Sequence, residues 1–358
     1  MVTLKQVAAE AGVSPSTASA ALRGMDIVRP DTAKKVLETA ARLNYQTNLS
    51  ARALRSGRSD TFTLIIPDLE NQYYAKLANS LSYELLTRGK RLIIQVSRYD
   101  HEQEFQLIRS INDSICDGLF ICSSTSSASD VRQAIGGNYP VVMFDDMSMG
   151  AESCYDSIDT PSQAGMYAAI RHLVEDCHRQ RIGVLGSKTS SMQPGTLGFT
   201  LRQNRCNYAV QALESYGLAD EHTMVATDWG FRVGVEVAHR LADEGMRYDA
   251  LCCMNDELAL GVMRGLAECG INVPNQVAVT GFDGVLAGEY ITPTLTTIAV
   301  DFNGMAQTAI HMMQEAAERR SSGTPTLPRR IIVGFQLHKC ESTMGRTAST
   351  GFTTIAAS

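Results

Sequence analysis

In this 358-residue chain, polar and aromatic residues recur at the ends of apolar runs. Pro67-Asp68-Leu69-Glu70-Asn71-Gln72-Tyr73-Tyr74 follows Phe62-Thr63-Leu64-Ile65-Ile66, and Asp145 follows Val141-Val142-Met143-Phe144. Asn255 and Asp256 come after Cys252-Cys253-Met254, Phe282 and Asp283 after Val277-Ala278-Val279, and Asp228-Trp229 opens a further helical stretch. Carboxylates and amides grip hydroxyl groups, and Tyr and Trp faces stack on sugar or base rings. The set suits binding of a polyhydroxylated ligand. The motifs of bond-making chemistry are missing: the chain has no GxSxG, no HExxH, no GxxxxGK[ST] and no GxGxxG after a strand. An Asp or Asn after a strand can also be a helix N-cap, and Asp256 reads as one.

These residues need a scaffold. The runs 62–66, 91–96, 119–121 and 141–144, then 181–185, 250–253 and 277–279, alternate with helical stretches such as Tyr74 to Arg88, which Gly89 stops. Strands this apolar, separated by helices, predict parallel sheets covered on both faces. Two successive series predict two α/β lobes, with ligands bound outside the C-terminal strand ends, in a cleft. Hydrophobic residues make up 44% and charged residues 20%, enough apolar content for a sizeable core. No apolar run approaches the roughly 18 residues of a membrane span. Residues 1–10 lack the pattern of an export signal, so a cytoplasmic protein is expected. Nine cysteines without a CxxC pair read as reduced, mostly buried thiols rather than a metal site, and no cofactor is implied.

The net charge of −6 conceals an asymmetry. Residues 1–59 hold nine Lys/Arg and four Asp/Glu, the remainder 23 and 34, so a head of +5 precedes a body of −11. A basic head fits nucleic acid as its partner. Within it, Thr3 caps a helix whose Leu4, Val7, Ala8 and Ala11 form one apolar face, and Gly12 ends that helix in a left-handed conformation. Val13 plugs the turn, Ser14 caps a second helix and Pro15 takes its first position. A third helix runs from Pro30 to Leu43 with Ala33, Val36, Leu37, Ala40 and Leu43 expected inside. The pattern is a helix-turn-helix, whose second helix can enter the major groove N-terminus first. From Asn48 to Gly57, a short capped segment with Arg52 and Arg55 is marginal as an isolated helix.

The stretches 2–19 and 43–54 resemble the headpiece and hinge of lac-repressor-type (LacI/GalR) regulators. Residues 254–261, 273–283 and 293–298 resemble that family's body, so the likeness covers about residues 2–340. It implies an α/β chain: a three-helix helix-turn-helix headpiece (1–47), a hinge helix and linker (48–60), and a two-lobed periplasmic-binding-protein-like core (61–340). The chain would cross between lobes near 155–162, 290–300 and 320–330. The tail, 341–358, is expected to be disordered; it has no leucine heptad, which favours a homodimer over a tail-held tetramer.

The family's pattern implies DNA contacts from Thr3, Leu4, Ser14, Pro15, Ser16, Thr17, Ser19, Ala20, Arg23, Asn48, Ala51 and Leu54. Pro15 and Ser16 stand where the family varies its sequence preference, and Leu54 matches a minor-groove wedge. Ala20 replaces an arginine that often reads guanine, so a different base is expected there. For the effector, the resemblance implies Tyr73, Tyr74, Asp145, Trp229, Asn255 and Asp283, with Arg202 favoured over Arg205 as the cleft arginine. The implied function is a transcriptional regulator, a repressor, binding pseudo-palindromic operator DNA under control of a small molecule, with a neutral sugar favoured. A regulator governed by a protein corepressor, or by no effector, is the alternative.

Overall fold

The computed structural model describes residues 2–22, 24–45, 59–113, 115–123, 125–136, 139–145, 154–187, 197–323 (side chains from 204) and 327–346. They divide into two compact units, one centred on Met1–Ser59 and one holding Asp60–Asn112 and Cys116–Ser358.

Among its described residues the first unit has three helices: α1 (Leu4–Ala11), α2 (Pro15–Leu22) and α3 (Pro30–Arg42). Thr3 and Gln6 form a reciprocal capping box, in which Gln6 Oε1 accepts the Thr3 N–H at 2.8 Å. Gly12 has φ 66°, a backbone state that costs other residues more, and it turns the chain directly into α2. Ser14 Oγ accepts the Thr17 N–H at 3.1 Å and so caps α2. Val7, Ala8 and Ala11 pack on Ala18 and Ala21 of α2 and on Val36 and Ala40 of α3. The alanines let the helices approach closely. Leu37 departs from expectation at 50% exposed, because it lies about 100° round the helix from Val36, and Thr39 fills the inward position instead.

The second unit contains two six-stranded sheets among the described residues. The first is built from β1 (Thr61–Ile66), β2 (Arg91–Val96), β3 (Leu119–Ile121), β4 (Val141–Phe144), β5 (Asp156–Asp159) and β11 (Arg330–Ile332), in the order β11-β5-β4-β3-β1-β2, every pair parallel. The second contains β6 (Ile182–Leu185), β7 (Met224–Val225), β8 (Ala250–Cys253), β9 (Ala278–Asp283), β10 (Thr296–Val300) and β12 (Phe335–His338), in the order β12-β10-β9-β8-β6-β7. Here β12 runs antiparallel to β10, a departure from the all-parallel expectation.

The helices are α4 (Gln72–Thr87), α5 (His101–Ser110), α6 (Ala128–Ile135), α7 (Ser162–Arg171), α8 (Leu197–Ser215), α9 (Phe231–Asp243), α10 (Asp256–Glu268), α11 (Phe302–Ser322) and α12 (Glu341–Met344). The chain passes from the first sheet to the second between β5 and α7. It leaves the second after β10, where α11 docks on α4 through the Ser80–Asn303 and Gln307–Glu84 hydrogen bonds (3.1 and 3.0 Å). The last crossing, expected near 320–330, falls between β11 and β12 at Val333-Gly334. Strand β5 is buried yet carries two aspartates, because arginines neutralise them: Asp156 pairs with Arg319 (2.7 Å) and Arg329 (2.8 Å), and Asp159 with Arg330.

The expected disorder from residue 341 is corrected at its start. Ser342 is fully buried; its hydroxyl donates to Val279 O (2.6 Å) and accepts the Thr296 N–H (2.8 Å). Residues 347–358 lie outside the described residues.

Helices α9 and α10 cross so closely that a Cβ on Gly261 would stand 2.1 Å from the Phe231 carbonyl oxygen, a backbone atom that cannot yield cheaply. Gly261→Ala should therefore lower core stability by about 1–3 kcal/mol, the usual cost of overpacking. Gly334→Ala, with nothing within 4 Å of the added atom, should be near neutral. Urea midpoints of the two variants measure the difference; equal midpoints would refute this account of the helix crossing.

Candidate functional site

The C-terminal ends of the strands bring together one connected polar network. Asn71 caps α4 by accepting the Tyr73 N–H (2.9 Å), which fixes Tyr73 at the first turn. The Tyr73 hydroxyl donates to Asp145 Oδ2 at 2.7 Å. Asp145 Oδ1 in turn accepts the Thr160 N–H (2.7 Å) and the Thr160 hydroxyl (2.8 Å). Burial, then the Asp145 charge, pushes the Tyr73 phenol well above its ordinary value, so it stays protonated as a donor. Tyr74 is half-buried, its ring edge-on to Tyr73 with centroids 5.3 Å apart.

Arg205 is the centre of the arrangement. Only 2% exposed, it donates to Met254 O (2.7 Å), Ser162 Oγ (3.3 Å) and Thr160 Oγ1 (3.3 Å). Its guanidinium lies 3.9 Å from the Phe282 ring centroid and 5.1 Å from that of Trp229. Trp229 is oriented by donating its Nε1–H to Gly186 O at 2.9 Å. Asp283 Oδ1 stands 3.7 Å from Arg205 Nη1, an ion pair without a direct hydrogen bond. Burial holds the Asp283 carboxyl well above the usual carboxylate range, against the pull of Arg205 and with the push of Asp256 and Asp145. Asp145 and Asp283 also have positive φ angles, 50° and 116°. Such backbone strain persists only where surrounding structure enforces it, and it is common at ligand sites.

Arg205 stands beside Asp283 and on α8 shares the buried face of Cys206, Ala209 and Ala212; the Arg202 side chain, expected at the cleft, lies outside the described residues. Two readings change. Asn255 is the N-cap of α10, accepting the Leu258 N–H at 3.0 Å, and is 1% exposed. Asp256, taken for the cap, is an internal anchor accepting from the Thr297 hydroxyl (2.6 Å) and the Val285 N–H (2.7 Å). Finally, β9 extends through Asp283, so that residue ends the strand rather than following it. Thr160, Ser162 and Lys76 have no strong signal in the sequence. Lys76 Nζ donates to Gly284 O at 2.6 Å and lies 5.1 Å from the Phe302 ring.

In the first unit, Thr3, Ser14, Pro15 and Ser16 are exposed, while Leu4, Thr17 and Ser19 are half-buried. Ala20 is only 5% exposed and floors a depression instead of projecting. Arg23, Asn48, Ala51 and Leu54 lie outside the described residues.

A small basic helix-turn-helix preceding a two-sheet core with polar strand ends defines a class: DNA-binding regulators with a binding-protein-like body. Residues 3–48 match the bacterial regulatory proteins of the lacI family, and residues 170–343 match the periplasmic binding protein-like domain. The HTH-type transcriptional repressor PurR of Haemophilus influenzae is 28% identical over 333 residues, covering 92% of this chain and 95% of PurR. The structure of the lac repressor dimer bound to operator and the anti-inducer ONPF superposes with TM-score 0.79 at 23% identity, covering 96% of this chain and 99% of that one. The complex of the transcriptional regulator CelR with cellobiose gives TM-score 0.66 at 24% identity, with 96% and 100% covered. The chain belongs to the LacI family of bacterial DNA-binding transcriptional regulators. No helix among the described residues is long and apolar enough to cross a membrane.

Asp256 supplies a test of the buried network. Burial raises its pKa from 3.8 to about 7, although its hydrogen bonds oppose the shift. Between about pH 4 and pH 7 the folded form therefore holds a proton that the unfolded chain has released, so folding stability falls as pH rises through that window. In Asp256→Asn that fall should be reduced, which urea titrations at pH 4.5, 6 and 7.5 would show. Identical pH slopes would mean that Asp256 is ionised in the folded protein.

Proposed function

We propose that this chain is a homodimeric repressor that binds a pseudo-palindromic operator, and that a neutral carbohydrate in the core controls its affinity for DNA. The observation that carries the effector reading is the Tyr73–Asp145–Thr160–Arg205–Asp283 network, flanked by the Phe282 and Trp229 rings. Carboxylates outnumber cations there, and the Arg205 nitrogens are already engaged by Met254, Ser162 and Thr160. Among the described residues, an anionic group such as a phosphate would meet Asp145 and Asp283 with the Arg205 guanidinium already committed. Hydroxyls can donate to those carboxylates, and a sugar face can lie on the indole. The cellobiose complex of CelR, which has the same fold, supports this choice of ligand class.

The control is a population shift. A ligand that contacts residues of both lobes favours one relative lobe arrangement, and DNA affinity changes only as far as the ligand discriminates between arrangements. Dimerisation is assigned to the first lobe. Its edge strand β2 exposes Ile93 (41%) and Ile94 (39%), and α4 exposes Tyr83 (67%) and Leu86 (70%), large apolar side chains that a second copy would cover.

Neutral mono- and disaccharides, sugar phosphates and nucleosides can be compared by thermal shift. A ligand at about a hundred times its Kd stabilises the folded state by about 2.7 kcal/mol. Trp229, the sole tryptophan, should report the same event by fluorescence. Asp283→Asn should lose the ligand response and retain operator binding. Shifts from phosphorylated or nucleoside ligands alone would overturn the neutral-sugar assignment.

Operator affinity should fall steeply with salt, since Lys and Arg displace condensed counterions. Ile94→Asp should give a monomer on sedimentation and cost at least tenfold in operator affinity. A monomeric wild type, or DNA binding indifferent to salt, would count against the dimeric repressor.

A further inference from the structure

We propose that the depression above Ala20 receives the 5-methyl edge of an operator thymine, and that Ile27 is the residue that reads it. The inference rests on the operator-binding reading and adds a specificity determinant to it. Ala20 lies on α2 one turn beyond Ser16, so the two share a helix face. Ser16 is exposed, whereas Ala20 is 5% exposed at the bottom of a concavity of about 400 Å³. Thr17, Ala20, Ile27 and Val28 supply methyl groups to its lining, and Ser16 and Arg29 contribute polar groups.

Two observations select the occupant. Ile27 is 78% exposed, the largest apolar exposure among the described residues of the first unit, on a helix-turn-helix whose other large apolar residues mostly pack inward. At Ala20 the recognition helix offers no side-chain donor or acceptor, so a base edge against that residue is met by apolar contact, with the polar groups of Ser16 and Arg29 at other parts of the lining. In the major groove the one apolar group that a base pair presents is the thymine methyl. The charge of Arg29 complements the surrounding polyanion. A base edge seated in the depression would place its methyl group against the exposed Ile27 side chain.

The experiment uses the full-length protein and duplex DNA. An operator is first selected from a random duplex pool, and each thymine is then replaced by deoxyuridine, which keeps every pairing group and deletes only the methyl. At one position per half-site the wild type should lose about fourfold in affinity, the value of one buried methyl, or about fifteenfold when both half-sites are substituted. Ile27→Ser should bind the thymine and deoxyuridine operators equally, and Ile27→Val should keep part of the difference. Both replacements fall on an exposed side chain, and circular dichroism would verify that the headpiece remains folded. Thymine-to-deoxyuridine effects all within twofold, or a penalty that survives Ile27→Ser, would overturn the assignment while leaving operator binding intact. Failure to select any sequence would overturn operator recognition itself, and this inference with it.

Discussion

A buried guanidinium is the constraint around which the core is organised. Arg205 is 2% exposed, and a charge so far removed from water is tolerated only when its hydrogen-bonding groups are met and an opposite charge is near. The chain meets these needs from three places. Thr160 and Ser162 come from the crossing between the sheets, Met254 O from the end of β8, and Asp283 from the end of β9. Phe282 and Trp229 provide ring faces for the flat cation, an arrangement favoured by the ring quadrupole. Satisfying one side chain therefore fixes the relative positions of a crossover, a helix and two strand ends. Thr160 extends the control further, because its hydroxyl donates to Asp145, which holds Tyr73 on the first lobe.

The extent to which the sequence revealed this depended on how locally each feature is determined. Capping chemistry of the headpiece was legible: Thr3, Gly12 and Ser14 act within a few residues of themselves, and their types alone specify the turn. Apolar strands such as β1 and β4 were also legible, because burial on both faces leaves continuous hydrophobic runs. Strand β5 was not, since Asp156 and Asp159 look like loop residues until Arg319, Arg329 and Arg330, more than 160 positions away, neutralise them. Strand β12 and helix α12 were hidden for a similar reason. Ser342 is buried because its hydroxyl satisfies Val279 and Thr296, partners that no local pattern announces.

The candidate site divides along the same line. Tyr73, Asp145, Trp229 and Asp283 stand at strand ends or helix starts, so topology alone located them. Arg205 ranked below Arg202 in the sequence, because the two lie three residues apart on neighbouring positions of one helix face and no local pattern separates them. The cap of α10 fell to Asn255 and not to its neighbour Asp256, and both are competent caps by residue type. The deciding fact is that Asp256 meets Thr297 and Val285, residues 41 and 29 positions further along the chain.

On the proposed reading, the most informative feature of the site is a deficiency. Asp145 has both carboxylate oxygens engaged, and Arg205 is held by three acceptors, so these two groups form rigid walls. Asp283 differs: it is buried, its pKa is raised, its backbone is strained, and the Arg205 guanidinium beside it is too distant for a hydrogen bond. A ligand hydroxyl donating to Asp283 would supply the interaction that the folded chain omits. It would stabilise the ionised carboxylate and so strengthen the attraction to Arg205. Because Arg205 is tied through Thr160 to Asp145 and Tyr73, that local change is transmitted to the first lobe by hydrogen bonds between rigid elements. Sensitivity to ligand then follows from one buried, strained carboxylate at the end of a hydrogen-bonded network.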